Sequence, residues 1–269
     1  MITWNLFHGR DFPPDPALFT WRSRLLRITE RNATHVQLNR DLFREFALVL
    51  RSLPWDVALL QECPPRWHAA LARACDAEAH AVLTSRNSLP RLRACAAHLN
   101  PDLIASNEGG SNLTLVRRIA GPITHRAELV LTPGPHPERR ALCFIRLGDD
   151  TCIANAHLSA GAANRARAED ELRRAAQACV AWAGSSPLIL GGDLNIRPRS
   201  SPIYAELEHR FGLVGATAPD ALDHLLARGL PPAEPPRALP PEARELVNPR
   251  GLRLRLSDHA PVLAAFARA

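Results

Sequence analysis

The chain has 269 residues, 46% of them hydrophobic and 22% charged, which permits a sizeable core and excludes wholesale disorder. Its formal charge of +6 suits a phosphate-bearing partner, yet all 33 cationic side chains are Arg, a GC-rich coding bias that strips the excess of much meaning. No uninterrupted apolar run reaches the ~18 residues a membrane span needs.

Six cysteines (63, 75, 95, 143, 152, 179) form no C-x-x-C pair and no zinc spacing, so free thiols in a reducing compartment are expected rather than disulfides. No basic-plus-apolar leader precedes the first strand-like residues, and a soluble cytoplasmic protein, monomeric, follows as an expectation.

Strand-like runs are expected at 2–7, 57–60, 113–116, 141–147, 152–158, 188–190, 222–226, 252–256 and 262–266. Helical patterns lie between them over 40–51, 66–79 and 164–183. In the last, Leu172, Ala176, Cys179, Val180 and Ala183 share a face, with Asn164 placed to cap its start and Gly184 its end. The proline-rich segment 231–241 predicts an extended surface loop, because proline fixes φ and lacks an N–H. With no long linker and no internal repeat, residues 1–269 read as one α/β domain built on packed sheets.

Polar residues interrupt these runs where a purely structural strand would not need them. Asn5 ends the first strand opposite Trp4, though a strand-end Asn turning into His8-Gly9 explains it equally. Glu62 follows Val57–Gln61 and is stopped by two prolines; it is either a hard oxygen ligand for Mg²⁺ or Ca²⁺ or a solvated strand end. Period two puts Asn155 and His157 on one face of 152–158. Gly191-Gly192-Asp193-Leu194-Asn195 permits close backbone approach and points two oxygen-bearing side chains the same way, unless it is a plain Gly-Asp turn. Asp223 and His224 interrupt an apolar run, where a buried charge needs a partner. Asp258-His259 closes the series, and an Asp beside a His can fix the imidazole tautomer or raise its pKa.

In this order the elements resemble the DNase I-like endonuclease/exonuclease/phosphatase superfamily. The resemblance rests on Asn5, Leu60-Gln61-Glu62, Asn155-Ala156-His157-Leu158, Gly192-Asp193-Leu194-Asn195, Asp223 and Ser257-Asp258-His259, with fainter echoes at 110–115 and 138–142. It spans residues 2–266. It implies a four-layer α/β sandwich, with two mixed sheets packed face to face and helices outside. By the same resemblance Asn5 and Glu62, with Asp258, would hold Mg²⁺ (or Mn²⁺), while Asp193 and Asn195 would orient the attacking water and the phosphate. His259, steadied by Asp258, would contact phosphate or metal, and His157, paired with Asp223, would protonate the leaving oxygen.

Departures narrow the expectation. Apurinic-site endonucleases of this family usually carry Tyr where His157 stands and Lys where Pro64 stands, and the inositol-phosphatase motif around Asp223 is missing. The implied activity is a metal-dependent phosphodiesterase acting on DNA or RNA. The alternatives are a hydrolase of small or lipid-borne phosphate esters and an inactive module of the same fold, the latter disfavoured by the intact residue set.

Overall fold

A computed structural model describes residues 1–85, 89–100, 109–134 and 136–267. In chain order its strands are β1 (Ile2–Asn5), β2 (Glu30–Arg31), β3 (Val36–Gln37), β4 (Val57–Gln61), β5 (Ala77–Leu83), β6 (Ser111–Arg117), β7 (Ile123–Thr132), β8 (Arg140–Leu147) and β9 (Cys152–His157). They continue with β10 (Leu188–Asp193), β11 (Asp223–Arg228), β12 (Pro232–Ala238), β13 (Glu245–Val247), β14 (Arg253–Arg255) and β15 (Val262–Phe266).

Two sheets carry the architecture: β12-β15-β1-β4-β6-β5 and β11-β10-β9-β8-β7. Both are mixed, since β1 runs parallel to β4 and β9 parallel to β10 while their other neighbours are antiparallel. Alternation sorts the side chains into layers. Val57, Leu59 and Val116 of the first sheet meet Ile145, Ile153, Ile189 and Leu225 of the second. On the outer face of the first sheet Ala58 and Leu60 pack with Phe46 and Leu71, from helices Phe43–Ser52 and His68–Ala74. On the outer face of the second, Leu188 and Leu190 pack with Leu172, Cys179 and Leu207, from helices Arg165–Ala183 and Ile203–Phe211. The four layers are those expected. Burying each such Leu or Ile contributes ~1.5–3 kcal/mol, which is why strands covered on both faces read as unbroken apolar runs.

Asn164 and Gly184 occupy the two cap positions of helix Arg165–Ala183 as anticipated, but the Asn164 side chain makes no capping bond; its amide donates to Ala160 and its oxygen accepts from Arg167. The differences from the sequence pattern lie at sheet edges. β5 and β7 are edge strands whose charged and alanine-rich composition hides their period, and the helix expected over 66–79 stops at Ala74 to release β5. The proline-rich segment is not a loop: it forms β12 at the opposite edge, pairing with β15 through two register shifts. An edge is where prolines lacking an N–H can be accommodated. Residues expected as a strand over 252–256 contribute β14, which lies outside both large sheets, pairing with β13 in a small ribbon and bridging to His35. All six cysteines are free and five are buried. No helix among the described residues is long and apolar enough to cross a membrane.

Candidate active site

Register brings the polar strand ends together. Asn5 lies opposite Gln61 in the parallel pair β1–β4, and Asp193 lies opposite His157 in β9–β10 and opposite Asp223 in β10–β11. The ends of four parallel strands and the start of β11 thus face one another across the sandwich. Gly192 makes the close approach possible: at φ +136° any Cβ there would collide with the Ala156 carbonyl oxygen.

Beneath the site, buried amides clip the two sheets. Gln61 Nε2 donates to Thr3 Oγ1 (3.1 Å) and across the gap to Asn155 Oδ1 (2.8 Å). Asn155 Nδ2 donates back to the carbonyls of Leu60 (3.3 Å) and Leu113 (3.1 Å). Asn155 therefore serves the scaffold, and its place in the family-like motif marks the floor of the site. Glu62 projects just above, at a φ of +50°.

Asp193 is at the centre. Its Oδ2 accepts from Asn5 Nδ2 (2.9 Å) and its Oδ1 from the Asn195 backbone N–H (3.1 Å), while Asn195 Nδ2 donates to Leu158 O (3.0 Å). Burial, then the charge of Asp223, pushes the Asp193 carboxyl up to about 7 despite His259 and the Asn5 amide.

The two histidines are prepared differently. His259 Nδ1 is 2.7 Å from Asp223 Oδ2, and its Nε2 is 3.8 Å from Asp193 Oδ2. Burial opposes its charge, but the hydrogen bond and charge of Asp223, with Asp193 and Asp258 behind, push it up to about 10. His157 Nε2 lies 3.8 Å from Glu62 and 3.7 Å from Asp193. Behind it, Arg140 Nη1 donates to Nδ1 at 3.4 Å while Arg140 Nη2 reaches Glu138 at 3.2 Å. Burial, then Arg140, His259 and His8, holds His157 well below its ordinary value.

These distances correct the expected pairings. Asp223 belongs to His259, not to His157, and Asp258 does not steady His259 by a direct bond. Asp258 stands at the exposed rim, within electrostatic reach of Glu62 and His259. The Ser257 backbone at φ +59° turns the loop, and Ser257 Oγ donates to the Asn5 carbonyl (2.6 Å) while accepting from the His259 N–H (3.1 Å). His224 points away, its Nδ1 accepting from Thr217 N–H (3.1 Å) and its ring 5.0 Å from that of Tyr204, so it leaves Asp223 to His259.

Two residues not singled out from the sequence stand beside these. Arg140 backs His157, and its only prior signal was the faint echo at 138–142. His8 Nε2 is 3.3 Å from Glu62 Oε2; in the sequence it reads as part of a turn.

The arrangement calls for positive charge. Asp223 Oδ1 is buried with no hydrogen-bond partner, and Asp193 is raised by burial and then by the neighbouring Asp223 charge. Ligand atoms of Asp193, Asp223 and His259 lie within 4.8 Å of one another, the spacing of a metal site. The short Nδ1–Asp223 bond, however, makes that trio an ion pair first. Glu62, whose charge reaches Asp258, offers further carboxylate oxygens at the same end of the sandwich.

The chain matches the model of the Endonuclease/Exonuclease/phosphatase family over residues 2–259. No curated protein sequence matches it. Among solved structures, it resembles a mannosyl-6-phosphatase from Bacteroides thetaiotaomicron (TM-score 0.63, 13% identity, 99% of this chain and 98% of that one). It also resembles a humanized TDP2 from D. rerio (0.60, 14%, 99% and 97%) and the human Nocturnin catalytic domain (0.56, 17%, 80% and 81%). Likeness at such identity concerns the fold. Taken with the family match over nearly the whole length, it establishes that this chain belongs to the endonuclease/exonuclease/phosphatase family of phosphoesterases.

Proposed function

We propose that the protein is a divalent-metal-dependent phosphodiesterase that cleaves nucleic-acid-type phosphodiesters. The observation that supports this most is the convergence of Glu62, Asp193 and the charged His259–Asp223 pair at one end of the sandwich. Glu62, Asn5 and Asp258 would hold Mg²⁺ or Mn²⁺, which supplies charge neutralisation for an anionic ester and Lewis acidity.

The chain's own groups take the remaining roles. Asp193, with a pKa about 7 and anchored by Asn5 and Asn195, accepts the proton of the attacking water as the new P–O bond forms. The His259 imidazolium binds the phosphoryl oxygens, and it gives its Nε2 proton to the departing alkoxide as the ester P–O bond breaks. His157 lacks a carboxylate behind it; with Arg140 donating to Nδ1, its Nε2 carries the hydrogen and serves as a neutral donor to the substrate. A singly charged diester suits a centre in which His259 is the imidazolium.

The test is hydrolysis of bis-p-nitrophenyl phosphate, p-nitrophenyl phosphate and plasmid DNA with Mg²⁺, Mn²⁺ or EDTA, with Asp193→Ala alongside. EDTA-sensitive cleavage of the diester and DNA, lost in the variant, is the expected result. Cleavage of the monoester alone would replace the proposal with a phosphatase.

A further inference from the structure

β1 ends in an unusual turn. Phe7 (φ +48°), His8 (φ +52°) and Gly9 (φ +75°) are all left-handed, and two of the three carry side chains that disfavour this region. The turn is held from both sides. The Phe7 N–H donates to Asn5 Oδ1 at 2.9 Å, and Gly9 lies so close against the Trp67 indole that any Cβ would overlap it.

What the turn achieves is the placement of one imidazole. It brings His8 back over the strand end, with Nε2 3.3 Å from Glu62 Oε2, and Glu62 is itself held at φ +50°. The other Glu62 oxygen, Oε1, lies 3.8 Å from His157 Nε2. Strained backbone on both partners serves this single juxtaposition.

The separation is informative. A charge-assisted pair closes to ~2.7–2.9 Å, as His259 and Asp223 do at 2.7 Å. His8 and Glu62 stop short of that. Two ligand atoms bound to one ion at ~2.0–2.2 Å and at near-octahedral to tetrahedral angles stand about 2.8–3.6 Å apart, and 3.3 Å falls within that range.

We propose that His8 supplies a nitrogen ligand to the ion at Glu62, so that the site prefers a transition-metal ion such as Mn²⁺ over Mg²⁺. The inference rests on Glu62 holding the ion. Its chemistry is that Mg²⁺ takes oxygen ligands and sheds water reluctantly, whereas imidazole nitrogen adds affinity for first-row transition ions.

The test is made on metal binding rather than turnover. The full chain, stripped with EDTA, is titrated calorimetrically with Mn²⁺ and with Mg²⁺, as wild type, His8→Asn, His8→Gly and Glu62→Gln. Asn and Gly both adopt φ above zero readily, so the turn is kept in both His8 variants, and thermal melting of each confirms that it is folded before titration. The Mn²⁺-loaded forms are examined by pulsed EPR for ¹⁴N coupling. Both His8 variants are expected to lose roughly tenfold or more in Mn²⁺ affinity, to keep their Mg²⁺ affinity, and to lose nitrogen coupling. Unchanged Mn²⁺ affinity and coupling in the His8 variants would overturn the inference while leaving Glu62 as a ligand. Unchanged binding of both ions by Glu62→Gln would instead remove the assignment of Glu62 on which it stands.

Discussion

His259 and His157 face the same oxygen of Asp193, Oδ2, at 3.8 and 3.7 Å, yet they sit in opposite electrostatic settings. Behind His259 is Asp223; behind His157 is Arg140. A carboxylate at Nδ1 supports an imidazolium, whereas a guanidinium at the same atom supports a neutral ring with its hydrogen on Nε2. The site therefore holds one charged and one uncharged donor in fixed positions. That asymmetry suits a reaction in which charge builds on one side of phosphorus while the other needs only orientation.

Removing the charged arm should have the largest effect. His259→Ala is expected to lower kcat/KM on DNA by about 10²–10⁴-fold. The loss on bis-p-nitrophenyl phosphate, whose leaving group needs no proton, should be smaller. Equal losses on both substrates would leave His259 as a phosphate clamp and end its role as proton donor.

Asp223→Asn keeps the shape and removes the charge. Activity should fall roughly 10²-fold, and in EDTA-treated protein the His259 ring should titrate near neutrality, where the wild type stays protonated up to about pH 10. NMR of the imidazole protons reads this directly. Arg140→Gln sharpens the comparison from the other side: a loss of about tenfold or less is expected, with the His157 pKa rising as the cation is removed. A loss as large as that of Asp223→Asn would abolish the asymmetry.

His224 is a control outside the chemistry. Its fully buried ring is held neutral, with a pKa of about 4 against an ordinary 6.5. Because the folded value is the lower one, this group's contribution is intact above pH 6.5 and is lost as the pH falls toward 4. The loss amounts to about 3 kcal/mol at most. Urea denaturation of wild type and His224→Gln should show a flatter pH dependence in the variant, and an unchanged slope would acquit His224.

Much of this site could be read from the chain, because strand ends that carry Asn5, Glu62, His157, Asp193 and Asp223 violate the apolar pattern around them. Which partner each would find could not be read. Asp223 is 66 residues from His157 and 36 from His259 in sequence, and only the packing of β11 against the Ser257 turn decides between them. His8 was hidden because its position depends on three successive positive φ values, which no residue type there announces except Gly9. The edge strands β5, β7 and β12 were hidden for a different reason. With one side unpaired they tolerate the charges and prolines that signal helix or loop elsewhere.

The Gln61–Asn155 clip carries a final consequence. Glu62 follows a strand of one sheet and His157 ends a strand of the other, so neither half of the molecule contains the candidate site by itself. Apolar faces alone could slide past one another with little penalty, but directional amide bonds between fully buried side chains tolerate almost no shear. The spacing between the Glu62 and His157 ends of the two sheets is thus set by two side chains that lie beneath them. Gln61→Leu would be expected to leave a folded sandwich with a blurred gauge, impairing turnover more than affinity.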